Sequence, residues 1–168
     1  MSRAVLSLGS NLGDRLGFLR LAVEGFADVA VAVSPVYETA PWGVLDQDDF
    51  LNAVLVVSSP DVDARGWLRR GQELERRAGR VRERHWGPRT LDVDVVSVDG
   101  ILSSDPELIL PHPGAHDRAT VLIPWHDVDP NAAVPGRGSV ADLLVGVDTA
   151  GVRRRDDLIL SIPLIGDR

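Results

Sequence analysis

The period of the apolar residues changes repeatedly over the first hundred positions, and that succession limits the folds open to the chain. Ala4, Leu6 and Leu8 alternate with Val5 and Ser7, the two-residue period of a strand. Gly9, Ser10 and Asn11 turn out of it, and Leu12, Leu16, Leu19, Val23 and Phe26 then fall on one helical face, with Asn11 or Asp14 placed to accept the free amides at its start. Residues 29–37 and 52–57 read as a second and a third strand, joined by a long loop over 39–49. A second helix opens at Pro60 and Asp61, carries Ala64, Trp67, Leu68, Leu74 and Ala78 on one face, and stops at Gly79. Asp61 and Asp63 at its start and Arg76 and Arg77 at its end suit the helix dipole. Residues 93–98 make a fourth strand, after which Asp99-Gly100 signals a hairpin. Further on, residues 111–114 read as a rigid loop and 140–145 as a short helix. Strand, helix, two strands, helix, strand is the order of a ferredoxin-like α+β fold. The expected architecture is a central, mainly antiparallel sheet with helices on both faces, in three α/β/α layers.

Composition narrows the chemistry. All 18 basic residues are arginine, and lysine and cysteine are both absent. That removes P-loop lysines, Schiff bases, disulfides and thiolate nucleophiles. The formal charge of -7 conceals an asymmetry, because residues 65–89 carry nine arginines against three glutamates. An acidic chain repels polyanions, so neither nucleic acid nor a membrane surface is expected as a partner, whereas a confined basic patch suits one small anion such as phosphate. No signal peptide and no run of 18 apolar residues is present, and a cytoplasmic monomer is expected. At 168 residues the length fits one domain, with residues 148–168 as a C-terminal extension of unassigned role that adds a strand or packs as a surface arm.

The strongest local signal is His85-Trp86-Gly87-Pro88-Arg89-Thr90-Leu91-Asp92-Val93-Asp94-Val95-Val96, where a Gly-Pro turn delivers an arginine and then two carboxylates onto a strand. Strand periodicity puts Asp92 and Asp94 on one face, roughly 7 Å apart, where they repel unless a cation or proton intervenes. This is a ready site for magnesium. Asp-x-Asp recurs at Asp46/Asp48, Asp61/Asp63 and Asp127/Asp129, but those suit a solvated loop, a helix start and a turn; only Asp92/Asp94 interrupts a valine strand. Arg80, Arg82, Arg84 and Arg89 surround the same turn, and guanidinium forks hold phosphate oxygens bidentately. His112 and His116 have a zinc-like spacing, but Pro111, Pro113 and Gly114 oppose the helix it requires; a single His112 facing phosphate is the better reading. Trp42, Phe50 and Trp86 fall in or beside these loops, where aromatics can sandwich a flat heterocycle, and Asn52 can offer paired donor and acceptor contacts to its edge. A metal-dependent nucleotide-sugar transferase and a ferredoxin-like ligand-sensing or RNA-binding module are the rival readings. The first lacks a doubly wound pattern, and for RNA the strands lack paired stacking aromatics.

Residues 85–96 resemble the signature of the 6-hydroxymethyl-7,8-dihydropterin pyrophosphokinase family. The segments AVLSLGSN (4–11), YETAPWG (37–43), DFLN (49–52), GRVR (79–82) and LPH (110–112) follow in the family's order. The resemblance implies transfer of diphosphate from ATP to the pterin hydroxymethyl oxygen, releasing AMP, with two Mg2+ ions. It implies that Asp92 and Asp94 bind both ions and that Arg82 and Arg89 hold the phosphates. Gln72, Glu75, Arg80, Trp86, His112 and Arg118 would line the nucleotide, with the backbone around Leu108 and Ile109 near adenine. Asn52 would read the pterin edge, Phe50 would stack on it, and Thr39 and Trp42 would contribute through backbone. The loops at 39–49 and 79–86 would act as lids. Thr120 stands where the family commonly places a phenylalanine on the second pterin face.

Overall fold

A computed structural model describes residues 2–40, 48–79 and 90–164. Its elements are β1 (Ser2–Ser10), α1 (Arg15–Gly25), β2 (Ala30–Val33), β3 (Tyr37–Thr39), β4 (Phe50–Ser59), α2 (Ala64–Arg77), β5 (Asp92–Val98), β6 (Ser103–Asp105), β7 (Leu108–Leu110), α3 (Ala119–Val128), β8 (Ala133–Val134), β9 (Gly138–Ser139), α4 (Val140–Val145) and β10 (Arg153–Arg154). The main sheet runs β10-β3-β4-β1-β5, with β2 also paired to β4. Every pairing in it is antiparallel. The strand-helix order read from the apolar periods therefore closes into the expected ferredoxin-like layers.

Period-two alternation divides the core in two. Leu6 and Leu8 of β1, Ala53 and Leu55 of β4, and Val93 and Val95 of β5 bury one face of the sheet against Leu19 and Val23 of α1 and Trp67 and Leu74 of α2. Val54 and Val96 on the other face pack with Val121, Leu122 and Trp125 of α3 and Val140 of α4. Side-chain oxygens cap three helices: Asp14 accepts from Gly17, Asp63 from Gly66 and Ser139 from Asp142. Each such cap contributes about 1 kcal/mol. The second cap is Asp63, not Asp61, and α2 ends at Arg77, with Gly79 just beyond it at a φ of +71° that suits glycine.

Two expectations are corrected. Residues 29–37 form two strands rather than one, because Pro35 has no N–H to extend a ladder; β2 and β3 pair separately with β4. Asp99 and Gly100 do form a tight turn, both at positive φ, closed by Ile101 N–H donating to Val98 O at 2.8 Å. The chain then leaves the sheet, and β6 pairs with β7 instead of returning along β5. The C-terminal segment adds a strand, since β10 extends the sheet beside β3. Leu160 beyond it is buried in the first core, with Leu158 and Ile162 packed alongside.

Candidate active site

On the α3 side of the sheet the apolar rows stop before the strands do. Gly9 lies opposite Asn52 on one neighbour and Asp92 on the other, and Ser7 lies opposite Val54 and Asp94. Asn52, Gly9 and Asp92 thus form one row across three strands, which at the usual strand spacing places Asn52 and Asp92 about 10 Å apart. These residues floor a cavity of about 530 Å³, walled by Thr39 and Phe50 and by Pro113, Gly114, Asp117, Arg118, Thr120 and Val121. A Cβ on Gly9 would sit 3.3 Å from Asn52 Oδ1 and 3.6 Å from the Phe50 ring, so glycine there keeps the floor clear between the amide and the carboxylates.

Each polar group is set by its strand. Asn52 Nδ2 donates to Thr39 Oγ1 at 3.1 Å, fixing the amide plane against β3. Asp92 and Asp94 are half-buried and alternate with buried Val93. Val93 N–H, which points off the open edge of the sheet, donates to Glu75 Oε2 at 3.0 Å. Magnesium fits this donor set. Among the described residues no three His, Asp or Glu side chains gather into a metal cage, and magnesium takes one or two carboxylates, filling its shell with water and substrate phosphate.

His112 is tied at two points: its N–H donates to Val96 O at 2.8 Å, and its Nδ1 accepts Gly114 N–H at 3.1 Å. Burial, and then the Arg118 guanidinium, hold the imidazole below its ordinary pKa of 6.5, against the opposing pull of Asp92. The unfolded chain therefore takes up the proton first. This contribution to stability is complete above pH 6.5 and is lost as pH falls from 6.5 toward the folded value. Melting midpoints of the wild type should drop more steeply through that window than those of His112→Asn, whose amide oxygen can still accept from Gly114. Parallel curves would show that the ring titrates as if in water.

Of the residues singled out in the sequence, the cavity brings together Thr39, Phe50, Asn52, Asp92, Asp94 and Arg118. His112 adjoins the wall without lining it. Gln72 and Glu75 belong to α2 on the opposite side of the sheet, and Glu75 is buried. Leu108 is buried in the first core and Ile109 is exposed, both away from the cavity lining. Trp42, Arg80, Arg82, Trp86 and Arg89 lie outside the described residues, as do the centres of both proposed lids. Thr120, singled out for the second face of the ring, also lines the cavity, whereas sequence reasoning missed Ser7, Gly9, Pro113, Gly114, Asp117 and Val121 as lining. For Ser7 and Gly9 a signal was present, because they break the apolar alternation of β1 on one face only.

Comparison with known proteins decides the family. Residues 5–130 match the family model described as 7,8-dihydro-6-hydroxymethylpterin-pyrophosphokinase (HPPK). The chain belongs to the HPPK family. HPPK enzymes are ATP-dependent diphosphotransferases, and the 2-amino-4-hydroxy-6-hydroxymethyldihydropteridine pyrophosphokinase of Mycobacterium leprae is 52% identical over 157 residues, covering 86% of this chain and 82% of that protein. The protein of the same description from Mycobacterium tuberculosis is 50% identical over 147 residues, 82% of this chain and 78% of its own. That of Bacillus subtilis is 37% identical over 129 residues, 74% and 77%. Among solved structures, a Plasmodium falciparum HPPK-DHPS triple mutant with pteroate superposes with a TM-score of 0.66 at 14% identity, over 84% of this chain and 42% of that one. This chain thus spans less than half of that solved HPPK-DHPS chain, and the likeness there is one of fold.

Proposed function

We propose that the chain transfers the diphosphate of ATP to the hydroxymethyl oxygen of 6-hydroxymethyl-7,8-dihydropterin, giving AMP and the pterin diphosphate, as a cytoplasmic monomeric enzyme of folate biosynthesis. The observation that carries this reading is the row Asn52, Gly9, Asp92 with Asp94 beside it: a reader for a heterocycle edge and a pair of carboxylates share one cavity floor. Phe50 supplies one face for a flat ring, and Asn52, its amide held by Thr39, offers donor and acceptor to the ring edge. The ring then points its substituent along the floor toward Asp92 and Asp94.

Asp92 and Asp94 would hold two magnesium ions, which when bound neutralise charge on the transferred and leaving phosphate oxygens. Arg118 in the wall, with Arg82 and Arg89 carried over from the family, would clamp the triphosphate by bidentate contacts. Arg80, Trp86, Gln72, His112 and the backbone at Leu108 and Ile109 would complete the nucleotide side beyond the cavity lining, Trp42 would complete the pterin side, and Glu75 would act through its hold on Val93. A primary alcohol is a weak nucleophile, and among the described residues no strong base lines the cavity. Rate would then come from aligning two reactants, worth roughly 7–11 kcal/mol, and from fixed charge around the phosphates. Residues 1–168 would act as a single domain, and no helix among the described residues is long and apolar enough to cross a membrane.

Phosphorus NMR of the chain with ATP, magnesium and the hydroxymethyl pterin tests the reaction. AMP and a pterin diphosphate are expected; ADP, or no turnover, would rule it out. Asn52→Ala removes a hydrogen-bonding partner of the ring edge at a cost of about 1–3 kcal/mol, so the pterin KM should rise roughly 10- to 100-fold with ATP KM nearly constant. Equal losses for both substrates would make Asn52 a structural residue.

A further inference from the structure

Three arginines meet on one carboxylate just outside the cavity, and two of them come from the C-terminal segment. Glu38, its side chain only 10% exposed, takes Arg15 Nη1 at 2.9 Å, Arg153 Nη2 at 2.6 Å and Arg155 Nη1 at 3.1 Å. Burial pushes the Glu38 carboxyl up, but Arg15, followed by Arg155 and Arg153, outweighs it and holds the group below the usual carboxylate range. Two of these arginines, Arg15 and Arg153, also reach across to the start of β4. Arg15 Nη1 donates to Asp49 O at 2.8 Å, and Arg153 Nη2 to Asp49 Oδ2 at 3.1 Å. The backbone follows suit, with Arg153 opposite Glu38, Arg154 opposite Tyr37, and Arg155 N–H donating to Val36 O at 2.8 Å.

Glu38 precedes Thr39 and Asp49 precedes Phe50, and Thr39 and Phe50 are register partners that both line the cavity. β3 is three residues long, too short to hold its place by a ladder with β4 alone. From this geometry we infer that Arg153 and Arg155 are positioning residues for the pterin half of the site: they fix Thr39, and through it Asn52, by clamping Glu38 and Asp49. An isolated pair involving Arg153, 63% exposed, would be worth little, but the shared carboxylate is buried and multiply bonded. Arg155 is itself braced by Asp157, at 3.0 and 2.8 Å, and the segment beyond is anchored by Leu160 in the core. The inference rests on the reading of the cavity as the pterin site.

The test uses the full chain, with the pterin KM measured at saturating ATP and the ATP KM at saturating pterin. In R153A/R155A the pterin KM should rise roughly five- to tenfold, with ATP KM changed less than about twofold. R153K/R155K, which keeps the point charges, should recover part of the loss. A pterin KM within about twofold of wild type, or a parallel rise in both KM values, overturns the assignment. Should the double variant fail to fold, Arg153→Ala alone is judged by the same criteria. Asn52→Ala run beside it separates the two levels of inference. If Asn52→Ala leaves the pterin KM unchanged, the pterin reading falls and this inference with it; if Asn52→Ala raises it while R153A/R155A does not, only the clamp falls.

Discussion

Asp92→Asn and Asp94→Asn are each expected to lower kcat by about 10²- to 10³-fold or more while the protein stays folded. Asparagine keeps the size of the side chain and removes its charge, so the substitution isolates what the carboxylate does. The two groups lie half-buried on the same face of β5, opposite Gly9 and Ser7 of β1, and neither contributes to an apolar core. Removing one of two neighbouring like charges relieves repulsion, and asparagine keeps an acceptor oxygen in place, so the melting midpoint should change little. In the proposed role, that repulsion is what a bound cation would neutralise. Asp63→Ala serves as the contrasting acidic change: it removes the cap of α2, whose side chain accepts Gly66 N–H at 2.8 Å, and should cost about 1 kcal/mol of stability with kcat intact. Melting curves and steady-state kinetics on the three variants decide the matter. Turnover that survives both strand substitutions would sink the metal assignment.

The contrast between Asp92 and Asp63 also shows what a sequence can disclose. Face assignment within one strand needs only the two-residue period, and so the sequence alone suffices to put Asp92 and Asp94 on one face of β5. Which residues face them across the sheet is a matter of register, set by pairings that no local pattern encodes. Gly9 could be read only as part of a βα turn; its position between Asn52 and Asp92 appears once β1 is seen lying between β4 and β5. Pro113, Gly114 and Asp117 enter the cavity because the chain after β7 folds back over the sheet, with His112 N–H bonded to Val96 O, a long-range contact with no local signature. The C-terminal segment was legible as apolar and basic, but not as a clamp, since Glu38 and Arg153 are 115 residues apart. Pro35 was the opposite case, a local signal strong enough to break residues 29–37 into two strands.

Glu75 is where a position carried over from the family and the geometry of this chain point to different roles, and two substitutions separate them. The residue is 5% exposed, and its carboxylate accepts the Val93 N–H at 3.0 Å. One turn earlier on the same helix face, a Cβ on Gly71 would come within 2.8 Å of Val93 Cγ1, so α2 presses directly on β5 at the residue between the two aspartates. Glu75→Ala would leave a buried strand amide without its acceptor, at a cost of about 2–3 kcal/mol, and would loosen the strand that aims Asp92 and Asp94. Both the melting midpoint and kcat should therefore fall together. Glu75→Gln keeps an acceptor oxygen in the same place and discards the charge. If Glu75 acts by holding Val93, the glutamine variant should retain most of the stability and of kcat, with ATP KM within about twofold. If instead its charge meets the nucleotide, Glu75→Gln should raise ATP KM as much as Glu75→Ala does while the protein melts normally. The first outcome is expected, because the Val93 N–H between the two aspartates is held by an acceptor oxygen at this position, which glutamine also supplies.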